Sequence, residues 1–265
     1  MAITHPFRKK WGQHFLVDPN LLQRLVRSLK LQPEDHILEI GPGEGVLTRQ
    51  IVHKVAGMTV IEVDPLLIEH LKADPELSAC RIIGKDVLKL ALSDLDLPNP
   101  VRIVGNIPYN ITTPIIFWLI SQRPEWKNAF LMVQKEVGER LTAAVGTKAY
   151  SRLTVMVGAF LNVEICFTIP PEVFIPRPRV ASAFIHLEQL VEPLVSEAIF
   201  PRFSKLVTAA FTQRRKMLKN SLSGFGISGN LQQKIGFSRR PETLSVKEFA
   251  LLAADSYLNC LCLEY

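Results

Sequence analysis

Apolar positions along the chain follow two regimes. Between about residues 15 and 190, short β-branched runs alternate with stretches in which apolar residues recur every three to four positions. Beyond about Val191 only the second spacing continues. A compact or alternating apolar run marks a strand, and a 3.6-residue spacing marks a helix with one buried face. Leu21, Leu22, Leu25, Val26 and Leu29 keep helical spacing, and Asp18-Pro19 supplies a cap and a first-position proline, so a helix is expected through about Lys30. His36 to Ile40, Met58 to Asp64, Arg81 to Asp86, Val101 to Asn106 and Ala129 to Val133 read as successive strands. Helical patterns start at Val46, after the capping pair Asp64-Pro65, and at Thr112-Thr113-Pro114, the last running to about Ser121. Val155 to Val163 and then Ile165 to Ile169 are apolar, with the helix–strand boundary between them open. A proline-rich stretch from Pro170 to Val180 precedes a last strand, Ala183 to Leu187.

Strand and helix in strict alternation imply an α/β domain with a parallel sheet and helices on both faces. The boundary is expected near residue 190, giving 1–190 as this domain and 191–265 as a small all-helical one. In the second part, Arg202 to Leu222 reads as a helical pattern holding a basic stripe from Phe211 to Asn220. Ser245 and Glu248 form a capping box for a final helix carrying Phe249, Leu251 and Leu252.

Composition adds exclusions. The 265 residues are 48% hydrophobic and 21% charged, which describes a soluble globular protein with a sizeable core. No apolar run reaches the roughly 18 to 20 residues that span a bilayer. The start of the chain lacks a secretory pattern, so the expectation is a cytoplasmic protein without membrane attachment. Cys80, Cys166, Cys260 and Cys262 show neither disulfide framework nor metal spacing, and no metal is expected. A net charge of +6 hints at an anionic partner. The charge gathers in Arg8-Lys9-Lys10, Arg177, Arg179, the 214–219 stretch and Arg239-Arg240, and is read as a phosphate-binding surface rather than a solvated face.

Candidate chemistry lies at strand ends. Gly41-Pro42-Gly43-Glu44-Gly45 joins the strand ending at Ile40 to a helical pattern, so the backbone can approach a ligand closely. A dinucleotide fingerprint needs glycine at position 46, where Val46 stands, which disfavours a nicotinamide dehydrogenase. Glu62, about 20 residues on, suits ribose hydroxyls, and Asp86 could accept from an adenine amine. Asn106-Ile107-Pro108-Tyr109 then places an amide, a fixed turn and an aromatic ring in succession at the same rim. Asn106 can accept from an amino group, Pro108 holds the preceding carbonyls, and Tyr109 offers a stacking face. Phe174 in the proline-rich stretch is either a core anchor or a second stacking ring.

Taken together the residues resemble the small-subunit ribosomal RNA adenine N6,N6-dimethyltransferases. The resemblance rests on Gln13-His14-Phe15-Leu16, Glu39-Ile40-Gly41-Pro42-Gly43, Glu62, Asp86, Asn106-Ile107-Pro108-Tyr109, the Phe174–Val180 loop and Gln213-Arg214-Arg215-Lys216. It implies a Rossmann-like class I methyltransferase fold, S-adenosylmethionine as donor, and two adjacent adenines in the 3′-terminal hairpin loop of small-subunit rRNA as target. It further implies a monomer acting on a pre-30S-type particle, with the helical tail binding RNA. His14, Leu16, Gly41, Glu62, Asp86 and Asn106 would then hold the donor. Asn106, Pro108, Tyr109 and Phe174 would handle the target base, extruded from its stack. His14 occupies a position where the family often carries Asn. A DNA adenine N6-methyltransferase, usually with a second proline where Ile107 stands, is the nearest alternative; a non-catalytic ribosome-assembly or transcription factor is another, opposed by the presence of Glu62 and Asn106.

Overall fold

The computed structural model describes residues 14–98 and 100–261, with side chains through Asp255. The basic segment Arg8-Lys9-Lys10, Gln13 and Cys262 lie outside the described residues. Two compact units emerge from the contacts: the chain up to Gly138 with Glu164–Glu188, and Glu139–Val163 with the chain from Gln189 onward.

The first unit is built on a seven-stranded sheet flanked by helices. Asp18 caps α1 (Pro19–Leu29) by accepting from the Asn20 and Leu21 amides at 2.8 and 2.9 Å. Strand β2 (His36–Ile40) is followed by a short helix α2 (Val46–Ile51). Next come β3 (Gly57–Glu62), α3 (Pro65–Ala73) capped by Asp64, β4 (Cys80–Gly84), β5 (Val101–Asn106), α4 (Thr112–Ser121) and β6 (Trp126–Gln134). A two-stranded antiparallel ribbon pairs β1 (Phe15–Leu16) with β8 (Phe174–Ile175), with β7 (Leu161–Ile169) and β9 (Ser182–Gln189) in the main sheet.

The sheet order is β4-β3-β2-β5-β6-β9-β7. Strands β2 to β6 run parallel, and β9 lies antiparallel to β6. β2 has β3 on one side and β5 on the other, so the order reverses there and opens a crevice beyond the carboxyl ends. In that register Ile40 faces Gly105, and a Cβ at Gly105 would lie 2.9 Å from the Ile40 carbonyl oxygen. Glycine at 105 is therefore what lets β5 carry Asn106 to the crevice beside the glycine turn. Leu25 and Leu29 from α1, with Ile51, Val60 and Leu71, bury one face of the sheet. At the opposite strand ends Arg102 is buried; it pairs with Asp35, donates to the Leu29 carbonyl and reaches Asn128 Oδ1 at 3.0 Å.

The apolar run around residue 160 resolves into α6 (Arg152–Gly158) and β7, with α5 (Lys135–Leu141) before them. In the second unit, Phe200–Thr212 forms α7 and Leu218–Ser221 forms α8, followed by α9 (Gly229–Ile235) and α10 (Val246–Leu261). Here the expected continuous basic helix is corrected: Gln213-Arg214-Arg215-Lys216 forms a turn between α7 and α8. From Gln213 to Met217 no apolar side chain is buried, so the helical face ends at Phe211 and resumes at Leu218. Phe211 packs between Tyr150 and Phe249, and the Tyr150 hydroxyl donates to the Leu244 carbonyl at 2.7 Å. The capping box forms as expected: the Ser245 amide donates to Glu248 Oε2 at 2.7 Å and the Glu248 amide to Ser245 Oγ at 3.2 Å.

Candidate active site

A cavity of about 290 Å³ opens at the carboxyl ends of β2, β3 and β5. That is at the lower end of the range for small-molecule sites, roughly 300 to 1,000 Å³. His14, Leu16, Gly41, Glu62, Asp86, Asn106, Pro108 and Tyr109 all line it. Phe174 does not.

The glycine turn is set by backbone shape. Gly41, Gly43 and Gly45 all have positive φ, at 70°, 58° and 77°. A Cβ on Gly43 would press on the Phe15 ring at 3.0 Å, so the turn fits under β1 only with glycine there. The Gly41 amide donates to the Ile61 carbonyl at 2.9 Å, fixing the start of the turn against β3.

Glu62 ends β3 and is buried. Its Oε1 accepts from the Val63 and Asp64 amides at 2.7 and 2.9 Å. Burial pushes its carboxyl above the ordinary value, while amides of Asp64, Val63 and Gly43 pull the other way. Asp86 is half exposed and caps a short 3-10 turn by accepting from the Leu88 amide at 3.1 Å through Oδ1. Asp64 has the structural task expected of it, accepting from the Leu66 amide at 3.1 Å at the start of α3.

At the other wall, Asn106 Nδ2 donates to the His14 carbonyl at 2.9 Å. The amide nitrogen is thereby committed, and Oδ1 is the atom left to accept. The His14 ring stacks on Tyr109, with centroids 5.4 Å apart and planes 27° from parallel, and His14 Nδ1 bonds the Pro176 carbonyl at 2.6 Å. One face of Tyr109 is thus covered by an imidazole tied to the residue that follows β8. The Tyr109 hydroxyl shares a 2.6 Å hydrogen bond with Ser182 Oγ, and burial pushes its phenol upward against that bond. Of the two readings open for Phe174, the structure takes the core anchor: the ring is 2% exposed and sits in the cluster with Leu16, Leu22 and Ile169. Its backbone pairs with Leu16, so it holds the ribbon that carries His14 rather than facing the cavity.

Two contributors were given no role from the sequence. Ser182, fully buried at the start of β9, anchors Tyr109 from 73 residues away; a polar residue opening an apolar strand was the available signal. Glu39 lines the cavity from the middle of β2, with Thr48 Oγ1 donating to its Oε2 at 2.7 Å. A carboxylate inside Ile37-Leu38-Glu39-Ile40 was the sign of it. Among the described residues no group of three His, Cys, Asp or Glu is placed to hold a metal ion.

The S-adenosylmethionine implied by the resemblance fits this donor set. A left-handed glycine turn admits close approach, an acid at each of two strand ends can accept from ribose hydroxyls and an adenine amine, and Val63, Val87 and Leu88 give an apolar wall for the ring. The strand order, the glycine turn after β2 and the acids beyond it define a class I methyltransferase. The chain belongs to the ribosomal RNA adenine dimethylase family, whose model matches residues 4–254. Among curated proteins it is 41% identical to the ribosomal RNA small subunit methyltransferase A of Xylella fastidiosa (strain 9a5c) over 94% of this chain and 95% of that protein. It is 38% identical to the protein of the same name from Janthinobacterium sp. (strain Marseille), over 95% and 99%. Among solved structures, a dimethyladenosine transferase from Plasmodium falciparum superposes with a TM-score of 0.78 at 26% identity, covering 92% of this chain and 98% of that one. The 23S rRNA methyltransferase ErmE superposes at 0.72 with 28% identity, covering 91% and 98%.

Proposed function

We propose that the chain is an S-adenosylmethionine-dependent rRNA (adenine-N6,N6-)-dimethyltransferase acting in small-subunit biogenesis, with two adjacent adenines of the 3′-terminal hairpin loop as target. The observation that carries the reading is Asn106, held at the cavity wall with Nδ2 tied to His14 and Oδ1 left as acceptor. An adenine amine is a poor nucleophile because its lone pair is delocalised into the ring. When bound, S-adenosylmethionine supplies an electrophilic methyl group on a sulfonium. Asn106 Oδ1 accepts one amine proton. A backbone carbonyl, of Ile107 or of Pro108, accepts a hydrogen bond from the other amine proton. Two acceptors on the amine favour a pyramidal nitrogen whose lone pair points at the methyl group; the methylated nitrogen then gives up its extra proton to solvent, and the rate comes from position and fixed dipoles. Tyr109 stacks the extruded base on the face His14 leaves open.

The likeness to ErmE at 0.72 shows that the fold serves large-subunit targets as well, so the choice of subunit rests on the curated relatives, named for the small subunit at 38–41% identity. The helical unit binds RNA through basic side chains left exposed: Arg215, Lys216, Lys219 and Arg240. Arg214 is otherwise engaged, donating to the Lys148 and Thr147 carbonyls at 3.0 and 3.2 Å. The enzyme works as a cytoplasmic monomer on a pre-30S-type particle.

The test is methyl transfer from labelled S-adenosylmethionine to unmethylated small ribosomal subunits, followed by digestion to nucleosides. Dimethyladenosine in the 3′-terminal hairpin supports donor, target and double transfer together. Binding without incorporation would favour an assembly factor, and label only in DNA or large-subunit RNA would overturn the substrate.

A further inference from the structure

Glu39 has no part in the transfer step described above, yet it is 1% exposed in the wall of the donor cavity. Its Oε2 accepts from Thr48 Oγ1 at 2.7 Å. Glu62 is a second buried carboxyl lining the same space. Among the described residues neither carboxyl is hydrogen-bonded to a Lys or Arg. A carboxylate held in such a wall is costly unless a counter-charge accompanies it. On the reading proposed above, the incoming ligand brings one: the amino and carboxylate groups of S-adenosylmethionine cancel, and its sulfonium is the net charge. After transfer the sulfur is neutral.

We infer that Glu39 is the counter-charge of the methyl donor: its carboxyl is protonated in the donor-free protein, releases that proton to solvent as the cationic donor binds, and takes one back once the ligand has lost its charge. The donor would then be held by a charge that the product does not share, which favours exchange of product for fresh donor between successive transfers. Burial pushes the Glu39 carboxyl up to about 7; the Thr48 bond opposes this and the nearby Glu62 adds to it.

Other ionisable groups surround Glu39. From β3 comes Glu62. From β4 comes Cys80, whose thiol burial pushes up to about 12 with Glu39 contributing. Arg49 on α2 is turned to Asp74 at 2.6 Å. Glu44, Lys85, Asp86, His14 and Tyr109 line the remainder of the cavity. Glu62 is the serious competitor for the linked proton, although three backbone amides already support its ionised form.

The sign is fixed by linkage. Below about 7 the donor-free carboxyl holds a proton that the complex lacks, so donor affinity rises with pH, by up to about tenfold per unit, and levels off above that value. Calorimetric titration of the full chain in buffers of different ionisation enthalpy measures the protons released, with S-adenosylmethionine and S-adenosylhomocysteine as probes from about pH 6 to 8.5. The expected result is release of close to one proton per S-adenosylmethionine near pH 6, fading above pH 8, and little release with S-adenosylhomocysteine. Glu39→Gln keeps the acceptor for Thr48 while abolishing the release and flattening the pH dependence. Thr48→Val moves the affinity limb to higher pH. Absence of release in the wild type, or release that survives in Glu39→Gln and vanishes in Glu62→Gln, overturns the inference while leaving the donor assignment intact. Failure of both probes to bind overturns the donor assignment, and the inference with it.

Discussion

The Tyr109–Ser182 hydrogen bond links the reactive turn to a strand 73 residues further along, and its removal should be felt in both stability and rate. Ser182 is fully buried and Tyr109 partly so. Ser182→Ala leaves the phenol hydroxyl without its partner at a cost of about 1–2 kcal/mol, and Tyr109→Phe orphans a buried serine hydroxyl at about 1–3 kcal/mol. Replacing both removes the mismatch, so the double variant should be more stable than the sum of the singles by about 1–2 kcal/mol. Urea unfolding followed by tryptophan fluorescence reads the cycle, since Trp118 and Trp126 both lie in the sheet unit. In transfer assays Tyr109→Phe keeps the stacking ring and should stay within a few-fold of wild type. Tyr109→Ala loses base stacking worth about 1–3 kcal/mol, or roughly 5- to 150-fold. Additive single effects would refute the bond, and an Ala variant as fast as Phe would refute the stacking role.

Three further outcomes follow from the packing and the charges. Gly105→Ala forces a Cβ to 2.9 Å from the Ile40 carbonyl oxygen and should lower stability by about 1–3 kcal/mol in urea while also slowing transfer, because Asn106 is the next residue. Asp35→Ala strips the buried Arg102 of its carboxylate and should cost about 3 kcal/mol, whereas a loss under about 1 kcal/mol would show the pair to be dispensable. At Glu248 burial acts to raise the carboxyl, but hydrogen bonds from Arg239 and Ser245 outweigh it and hold the group below its ordinary value of 4.5. Its contribution is therefore complete above that value and is lost as the pH falls further. Glu248→Gln should be less stable than wild type at neutral pH, with the gap closing in acid, as read by thermal melts at several pH values.

Much of the fold could be read from the sequence because its signals were local. Five parallel strands announced themselves as β-branched runs, and Asp18 and Asp64 before prolines marked two helix starts at the residues where the caps form. The meeting of these strand ends was equally legible: Gly41, Glu62, Asp86 and Asn106 line one cavity because a parallel sheet brings every carboxyl end to one edge. What escaped depends on distant segments meeting. Phe174 looked suited to stacking, but its pairing opposite Leu16 turns the ring into the core. Nothing near Ser182 in sequence points to Tyr109. The segment Glu139–Val163 groups with the C-terminal helices through contacts such as Tyr150 with Leu244, which local periodicity does not encode. The helical pattern from Arg202 to Leu222 suggested that the 213–216 stretch continued a helix; with no apolar position to bury, it became a turn.

The central claim is that Asn106 positions the adenine amine for transfer. Single-turnover transfer by Asn106→Ala, on unmethylated small subunits saturated with enzyme and donor, tests it most directly. The expected rate is about 10²- to 10³-fold below wild type, the loss seen when one fixed polar group at a reacting centre is removed, with subunit and donor affinities changed by no more than about threefold. A rate close to wild type with the same affinities would contradict it and move the chemistry elsewhere in the cavity.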